Sequence, residues 1–110
     1  MSVKNGVFPV ARASFNTTGL TTSYKVVNTN GLEEPCFMLR ITNDSNADVS
    51  ISYDGSTDHD YLRTGEVLQI STQPSDSRAN FRNGTKIYVK GAGAGTGFIY
   101  LAGYYQPNFN

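Results

Sequence analysis

Oxygen-bearing side chains crowd one short segment, residues 54–60, which reads Asp-Gly-Ser-Thr-Asp-His-Asp. Asp54, Ser56, Asp58 and Asp60 alternate along it, a spacing that resembles the start of a calcium loop, because Ca²⁺ binds several carboxylate and carbonyl oxygens. The segment lacks the central glycine and the distal glutamate of an EF-hand. An ordinary solvated turn is the interpretation we favour, so we predict neither a metal site nor a cofactor.

Catalytic chemistry would have to use the same segment. Its histidine, His59, is the only one in the chain, and no serine stands in a nucleophile-elbow pattern. Carboxylates for glycoside hydrolysis could come from Asp54, Asp58, Asp60 or Glu66, but spacing within a loop does not set the separation that this reaction requires. One histidine also makes an unconvincing zinc site. We therefore predict no catalytic residues and no enzymatic activity.

A glycine-rich segment, residues 91–97, separates two β-rich runs near the end of the chain. A dinucleotide-binding turn needs Gly-x-Gly-x-x-Gly between a strand and a helix. Counted from Gly91, the last glycine of that pattern is replaced by Thr96, and β-branched and aromatic residues follow. We interpret the segment as the flexible tip of a hairpin formed by residues 86–90 and 98–105. The second of these runs is nearly continuous in apolar residues, so we expect it to be covered on both faces.

Alternating apolar and polar residues predict further strands over 21–28, 36–42, 49–53 and 66–72. The turn at Asn30-Gly31 and the polar turn 43–46 are typical of hairpin connections between successive strands. Ser50 and Ser52 are expected to face solvent, and no helix is predicted. The expected inward-facing residues are Phe37, Leu39, Ile41, Val49, Ile51, Tyr53, Leu68, Ile70, Ile87 and Val89.

Short strands separated by regular turn signals predict an all-β fold, an antiparallel β-sandwich of jelly-roll-like type. The chain of 110 residues is long enough for a single domain with a modest core. We expect that domain over residues 21–110. Residues 1–20 are expected to form an extended N-terminal arm or an edge strand, because Pro9 argues against a central strand.

Charge and cysteine content exclude several classes of protein. Nine Lys+Arg balance nine Asp+Glu, so no electrostatic attraction to nucleic acid or to an anionic membrane is expected. No apolar run approaches the length of a transmembrane helix, and the first residues lack the apolar core of a secretory signal. We therefore expect synthesis in a cytoplasm. Cys36 is the only cysteine and lies in an apolar run, which predicts a buried, unreactive thiol.

Four stretches carry a resemblance to a known class. They are Leu-Arg-Ile-Thr-Asn at 39–43, Val-Ser-Ile-Ser-Tyr-Asp-Gly at 49–55, Tyr-Leu-Arg-Thr-Gly at 61–65 and the glycine-rich ending at 87–105. Together they form a strand with an Ile-x-Asn end, a Ser-x-Asp-Gly hairpin, a loop with a glycine and a glycine-rich terminal hairpin. This set, spanning residues 37–105, resembles one that recurs in small structural proteins of tailed bacteriophages.

The resemblance implies a non-enzymatic virion component with a β-sandwich body, made in the cytoplasm of a bacterial host. Within that class we expect a capsid decoration (cement) protein, a homo-oligomer with a trimer favoured. It would stabilise the head shell through contacts with the major capsid protein and other virion proteins. The alternatives are a head-completion, head-fibre or tail component, or a carbohydrate- or receptor-binding β-sandwich module that uses the 54–60 loop and exposed tyrosines.

The two ends of the chain supply the predicted subunit contacts. The N-terminal segment is polar with scattered apolar anchors, so it could order against a neighbouring subunit. The aromatic residues near the C-terminus suit protein interfaces. The predicted interface residues are Val7, Phe8, Val10, Phe15, Tyr104, Tyr105 and Phe109.

Overall fold

The computed structural model describes residues 8–71 and 81–105, so Val7 and Phe109 lie outside the described residues. The described chain is all-β, with one 3₁₀ turn at Thr17–Gly19. Its strands are β1 (Phe8–Pro9), β2 (Ala13–Asn16), β3 (Lys25–Val26), β4 (Met38–Ser45), β5 (Val49–Ser52), β6 (Asp60–Leu62), β7 (Val67–Ser71), β8 (Tyr88–Lys90) and β9 (Gly97–Tyr105). None of the described residues forms a helix with the length and hydropathy needed to cross a membrane.

The strands form two antiparallel sheets. In the first sheet the order is β1-β9-β4-β7, and β2 pairs with β9 beside β1. Between these two short strands the backbone N–H of Val10 donates to the carbonyl of Gly103 at 2.9 Å, so residues 8–16 follow β9 as one interrupted edge. In the second sheet the order is β3-β8-β5-β6.

Apolar residues from both sheets meet in one core. Alternation along each strand turns every second side chain inward, as expected for half-buried strands. The buried apolar residues are Leu20, Val27, Leu32, Cys36, Leu39, Ile41, Val49, Ile51, Leu62, Ile87, Val89, Ile99 and Leu101. The all-β antiparallel fold is therefore confirmed, and so is the burial of six of the expected core residues (Leu39, Ile41, Val49, Ile51, Ile87 and Val89).

Three predicted hairpins are wrong, and all three fail in the same way. The runs at 86–90 and 98–105 supply β8 and β9, which lie in different sheets: β8 pairs with β3 and β5, whereas β9 pairs with β1, β2 and β4. In the other two predicted hairpins the strands also lie in different sheets: β4 is in the first sheet, whereas β3 and β5 are in the second. Each connection carries the chain from one sheet to the other, because the apolar faces of the two strands meet across the core. Of the consecutive strands in the described residues, only β5 and β6 pair.

The predicted strand at 21–28 is reduced to β3, and its C-terminal end is set by the side chain of Asn28. Its Nδ2 donates to the carbonyl of Thr85 at 2.9 Å, and its Oδ1 accepts the N–H of Ile87 at 2.8 Å. The prediction that Ser52 faces solvent is also wrong, since this residue is fully buried. Its hydroxyl donates to Asp54 Oδ1 at 2.9 Å and accepts the N–H of Gly55, so it belongs to the turn that follows β5.

Candidate functional site

The carboxylate of Asp54 closes its own turn. Its Oδ1 accepts the backbone N–H groups of Ser56 and Thr57, both at 2.8 Å, and the hydroxyl of Ser52. The first two of these bonds are the main reason why the pKa of Asp54 lies well below its ordinary value. With a longer contact from the Ser56 hydroxyl at 3.4 Å, this oxygen accepts four hydrogen bonds, and the arrangement is that of a structural turn.

The other polar residues of the 54–60 segment point to different partners. Asp58 accepts the Tyr24 hydroxyl and forms an ion pair with Lys90 Nζ at 3.1 Å, while Asp60 Oδ2 accepts the hydroxyl of Tyr53 at 2.7 Å. His59 Nδ1 accepts the backbone N–H of Tyr53 at 3.1 Å, which fixes the β5–β6 hairpin. Within residues 8–71 and 81–105, no three His, Cys, Asp or Glu side chains come together as metal ligands.

The glycine-rich segment fits closely against the turn between β4 and β5. The N–H of Gly95 donates to the carbonyl of Thr17 at 2.9 Å, and the N–H of Thr96 donates to Asn46 Oδ1 at 2.8 Å. A Cβ at Gly95 would lie 2.7 Å from the Cβ of Ala47. A Cβ at Gly97, whose φ is +122°, would lie 2.3 Å from the carbonyl oxygen of Asp44. Close packing therefore requires glycine at position 95, whereas both close packing and the positive φ require it at position 97.

The predicted interface residues fall on two sides of the first sheet. Val10, Phe15 and Tyr105 pack against the core of this chain, and the Phe8 ring lies 5.9 Å from the Tyr105 ring. Tyr104 instead lies on the outer face of the sheet, opposite Met38. The contribution of these residues to contacts between subunits stays a prediction.

The outer face of the first sheet carries a row of aromatic rings with arginines over them. The Phe98 and Tyr100 rings stack at 5.8 Å, and the Arg12 guanidinium lies 4.6 Å from the centre of the Tyr100 ring. Arg40 lies 5.6 Å from the centre of the Tyr104 ring and donates from Nη2 to its hydroxyl at 3.0 Å. We call Arg12, Arg40, Phe98, Tyr100 and Tyr104 the aromatic face.

Mostly uncharged side chains surround the aromatic face on the same side of the sheet. By strand register the residues on this side are Pro9, Ser14, Asn16, Met38, Thr42, Asp44, Val67, Gln69, Ser71 and Ala102. Of the three exposed large hydrophobic residues among the described residues, Val67 and Phe98 belong to this side. Among the described strand residues on this side, Asp44 is the only acidic one and there is no lysine.

Sequence reasoning identified Tyr104 on this surface but missed Phe98 and Tyr100. The reason is that β9 was expected to be covered on both faces, whereas its burial alternates, with Phe98 38% exposed. A signal for this was present in the sequence. Aliphatic Ile99 and Leu101 alternate with the aromatic residues, and this period of two separates the core side of β9 from its outer side.

The outer face of the second sheet holds a groove of about 560 Å³ with mixed polar and apolar lining. Tyr61, Ser50 and Lys90 form one row at its base, since strand register places Ser50 opposite both other residues. The exposed backbone of residues 91–94 forms one wall. This surface and the aromatic face are two candidate interaction surfaces of the described chain.

Comparison of the chain with protein-family models, with curated proteins and with solved structures gave no match.

Proposed function

We propose that this protein is a structural component of a bacteriophage virion, a capsid decoration protein that stabilises the head shell. The observation that carries the proposal is the aromatic face, and the sequence resemblance to small structural proteins of tailed bacteriophages supports it. The proposal includes a β-sandwich body of jelly-roll type, formed by the two antiparallel sheets. The partners would be the major capsid protein and further copies of this chain, with a trimer favoured.

The composition of the aromatic face suits contact with another protein. Tyrosine, phenylalanine and arginine are enriched at the buried centres of protein interfaces, where lysine and glutamate are depleted. The Arg12–Tyr100 and Arg40–Tyr104 contacts hold the side chains in place before any partner arrives. Less conformational entropy is then lost on binding. The two arginines can also form ion pairs with carboxylates of a partner.

The size of this face favours a role in a repeated assembly. The face is four strands wide at about 4.8 Å per strand, and nine residues long at about 3.4 Å per residue of β9. Its area is therefore on the order of 600 Å². A stable interface buries about 800 Å² on each partner. One contact of this size is therefore weak, but linked copies on a symmetric shell bind collectively through effective concentration. An oligomer on a capsid lattice meets that condition.

The test is binding to particles of the phage that encodes this chain, stripped of the protein and then incubated with purified variants. Phe98→Ala and Tyr100→Ala remove rings from the aromatic face, and each should weaken binding about tenfold, as expected for hot-spot residues. Tyr61→Ala is the matched control, because it removes an exposed tyrosine from the other sheet. Unchanged binding of both aromatic-face variants would contradict the proposed contact surface.

A head-completion, head-fibre or tail component is the alternative within the same class. The aromatic face serves any of these roles, and the number of copies per particle separates them. A carbohydrate- or receptor-binding module is the alternative from another class. The groove on the second sheet favours it as an additional activity.

A further inference from the structure

The groove on the second sheet has an exposed aromatic ring at its centre. The side chain of Tyr61 is 58% exposed, the largest value among the exposed large hydrophobic residues of the described chain. Its hydroxyl donates to Asp48 Oδ2 at 3.2 Å, and Asp48 Oδ1 accepts the N–H of Thr64 at 2.9 Å. These bonds hold the ring and the carboxylate at the edge of the sheet, so both are in place before a ligand binds.

Hydrogen-bonding groups of several kinds surround the ring. Asp48 supplies an acceptor, the hydroxyls of Ser50 and Thr22 can donate or accept, and Lys90 supplies a donor. Lys90 is held by its ion pair with Asp58, and its Nζ lies 4.7 Å from the centre of the Tyr24 ring. The apolar part of the lining consists of the tyrosine ring and three alanine methyl groups.

The glycine-rich wall of the groove is fixed at both ends. The N–H of Gly91 donates to the carbonyl of Thr21 at 2.9 Å, and the N–H of Gly95 donates to Thr17. Between them Gly93 has open space, with nothing within 4 Å of a Cβ placed on it. A wall that brings exposed backbone close to a ligand and is anchored on both sides is a preorganised binding element.

We propose that this groove binds a neutral carbohydrate, with one face of a sugar ring stacked on Tyr61. A sugar ring presents C–H groups on its faces and hydroxyls around its rim, and the groove offers an aromatic ring surrounded by donors and acceptors. A volume of about 560 Å³ lies within the range of small-molecule sites and accommodates one or two sugar rings. This activity is additional to capsid decoration and does not depend on it.

Charge and apolar content argue against other ligands. A phosphate or a nucleic acid would meet the carboxylate of Asp48, while the single lysine of the groove already pairs with Asp58. An apolar peptide would have to bury the charged and hydroxyl side chains of Asp48, Lys90 and Ser50 that line the groove. A partner made of neutral hydroxyl groups meets neither obstacle.

The proposal also assigns different partners to opposite sides of the molecule. The aromatic face and the groove lie on the outer faces of different sheets, with the shared core between them. A copy that contacts a capsid through the first sheet therefore keeps the groove accessible. Particles carrying many copies would bind a glycan-coated surface through many weak contacts.

The experiment is an NMR titration of the ¹⁵N-labelled full chain with methyl glycosides of glucose, galactose and N-acetylglucosamine, together with a glycan array. At least one sugar should shift the amide signals of Asp48, Ser50, Tyr61 and Gly93 with a millimolar Kd. Tyr61→Ala should weaken binding about tenfold through loss of stacking, whereas Tyr61→Phe keeps the ring and should retain most of the affinity. The spectrum of each variant shows whether it is folded.

Tyr100→Ala is the control from the aromatic face and should leave the titration unchanged. The proposal is overturned when no array glycan binds and none of the glycosides shifts groove signals at about 50 mM, well above a millimolar Kd. It is also overturned when Tyr61→Ala binds as well as the native chain. Neither result affects capsid decoration, which is tested through Phe98 and Tyr100 in the particle assay.

Discussion

Replacement of Gly95 by alanine tests the close fit between the glycine-rich segment and the β4–β5 turn. The added Cβ would lie 2.7 Å from the Cβ of Ala47 and 3.0 Å from Asn46 Oδ1. Ordinary contact begins at 3.4 Å, so one side must move by about 0.7 Å. Ala47 cannot yield easily, because its carbonyl accepts Asn43 Nδ2 at 2.8 Å and its N–H donates to Ser45 Oγ at 3.2 Å.

The expected cost follows from overpacking of a well-filled site. Such changes destabilise proteins by about 1–3 kcal/mol. For a domain of this size that corresponds to a fall in Tm of roughly 5–20 °C. The assay is urea and thermal unfolding followed by circular dichroism.

Gly93→Ala is the matched control, since nothing lies within 4 Å of its added Cβ. Its stability should stay within about 0.5 kcal/mol of the native chain or rise slightly, because alanine restricts the unfolded chain more than glycine does. If the Gly95 and Gly93 variants are equally stable, the glycines serve backbone freedom and the packing argument is wrong.

Three further perturbations test other parts of the structure. Asn43→Ala should lower the free energy of unfolding by about 2–3 kcal/mol, because it removes the buried amide that donates to the carbonyl of Leu62 at 3.2 Å. Urea titration measures this, and an unchanged midpoint of unfolding would contradict it. Burial raises the pKa of Cys36 to about 11, so a thiol reagent at neutral pH should label it only at the rate of unfolding, and rapid labelling of the native chain would refute its burial. The pKa values of Asp54 and Asp58 are lowered in the folded state, mainly by hydrogen bonds to Ser56 N–H and to Tyr24. Their contributions to stability are therefore present above the ordinary value of 3.8 and lost as the pH falls through the folded values. Unfolding measured from neutral pH to about pH 3 should show this decline, and Asp54→Asn should reduce it.

The strands and the core could be predicted from the sequence because both depend on local alternation. Apolar residues occupy every second position in the pairs Leu39 and Ile41, and Val49 and Ile51, and all four are buried. This spacing places them on the same, inward face of a strand. The buried thiol of Cys36 follows from the same local pattern.

Strand pairing could not be predicted in the same way. A short polar turn between two alternating strands fits a hairpin and a crossing between sheets equally well. The difference depends on which faces meet across the core, which is a property of distant residues. The pairing of β9 with residues 8–16 joins parts of the chain more than 80 positions apart.

Hydrogen bonds made by single side chains also escaped sequence reasoning. Asn28 ends β3 through bonds to Thr85 and Ile87. Ser52 is buried because its hydroxyl caps the Asp54 turn. In both cases a polar residue is satisfied inside the protein by partners that only the three-dimensional structure reveals, and for Ser52 the sequence pattern predicts exposure to solvent.

The sequence predicted that tyrosines would form an interaction surface, but not which residues lie together on it. The tyrosine-rich ending suggested an interface, and the sequence placed it at Tyr104 and Tyr105. Register moves Tyr105 to the core side and adds Phe98 and Tyr100 to the outer side. The groove at Tyr61 needs three strands and a loop to meet, so no single stretch of sequence contains it.

The copy number of this protein in purified phage particles tests the proposed capsid decoration most directly. Quantitative mass spectrometry against the major capsid protein gives that ratio. Decoration predicts a fixed ratio on the order of one copy, or one-third of a copy, per capsid subunit, as a symmetric lattice requires. A handful of copies per particle would place the protein at the neck or tail, and its absence from the particles would contradict a structural role in the virion.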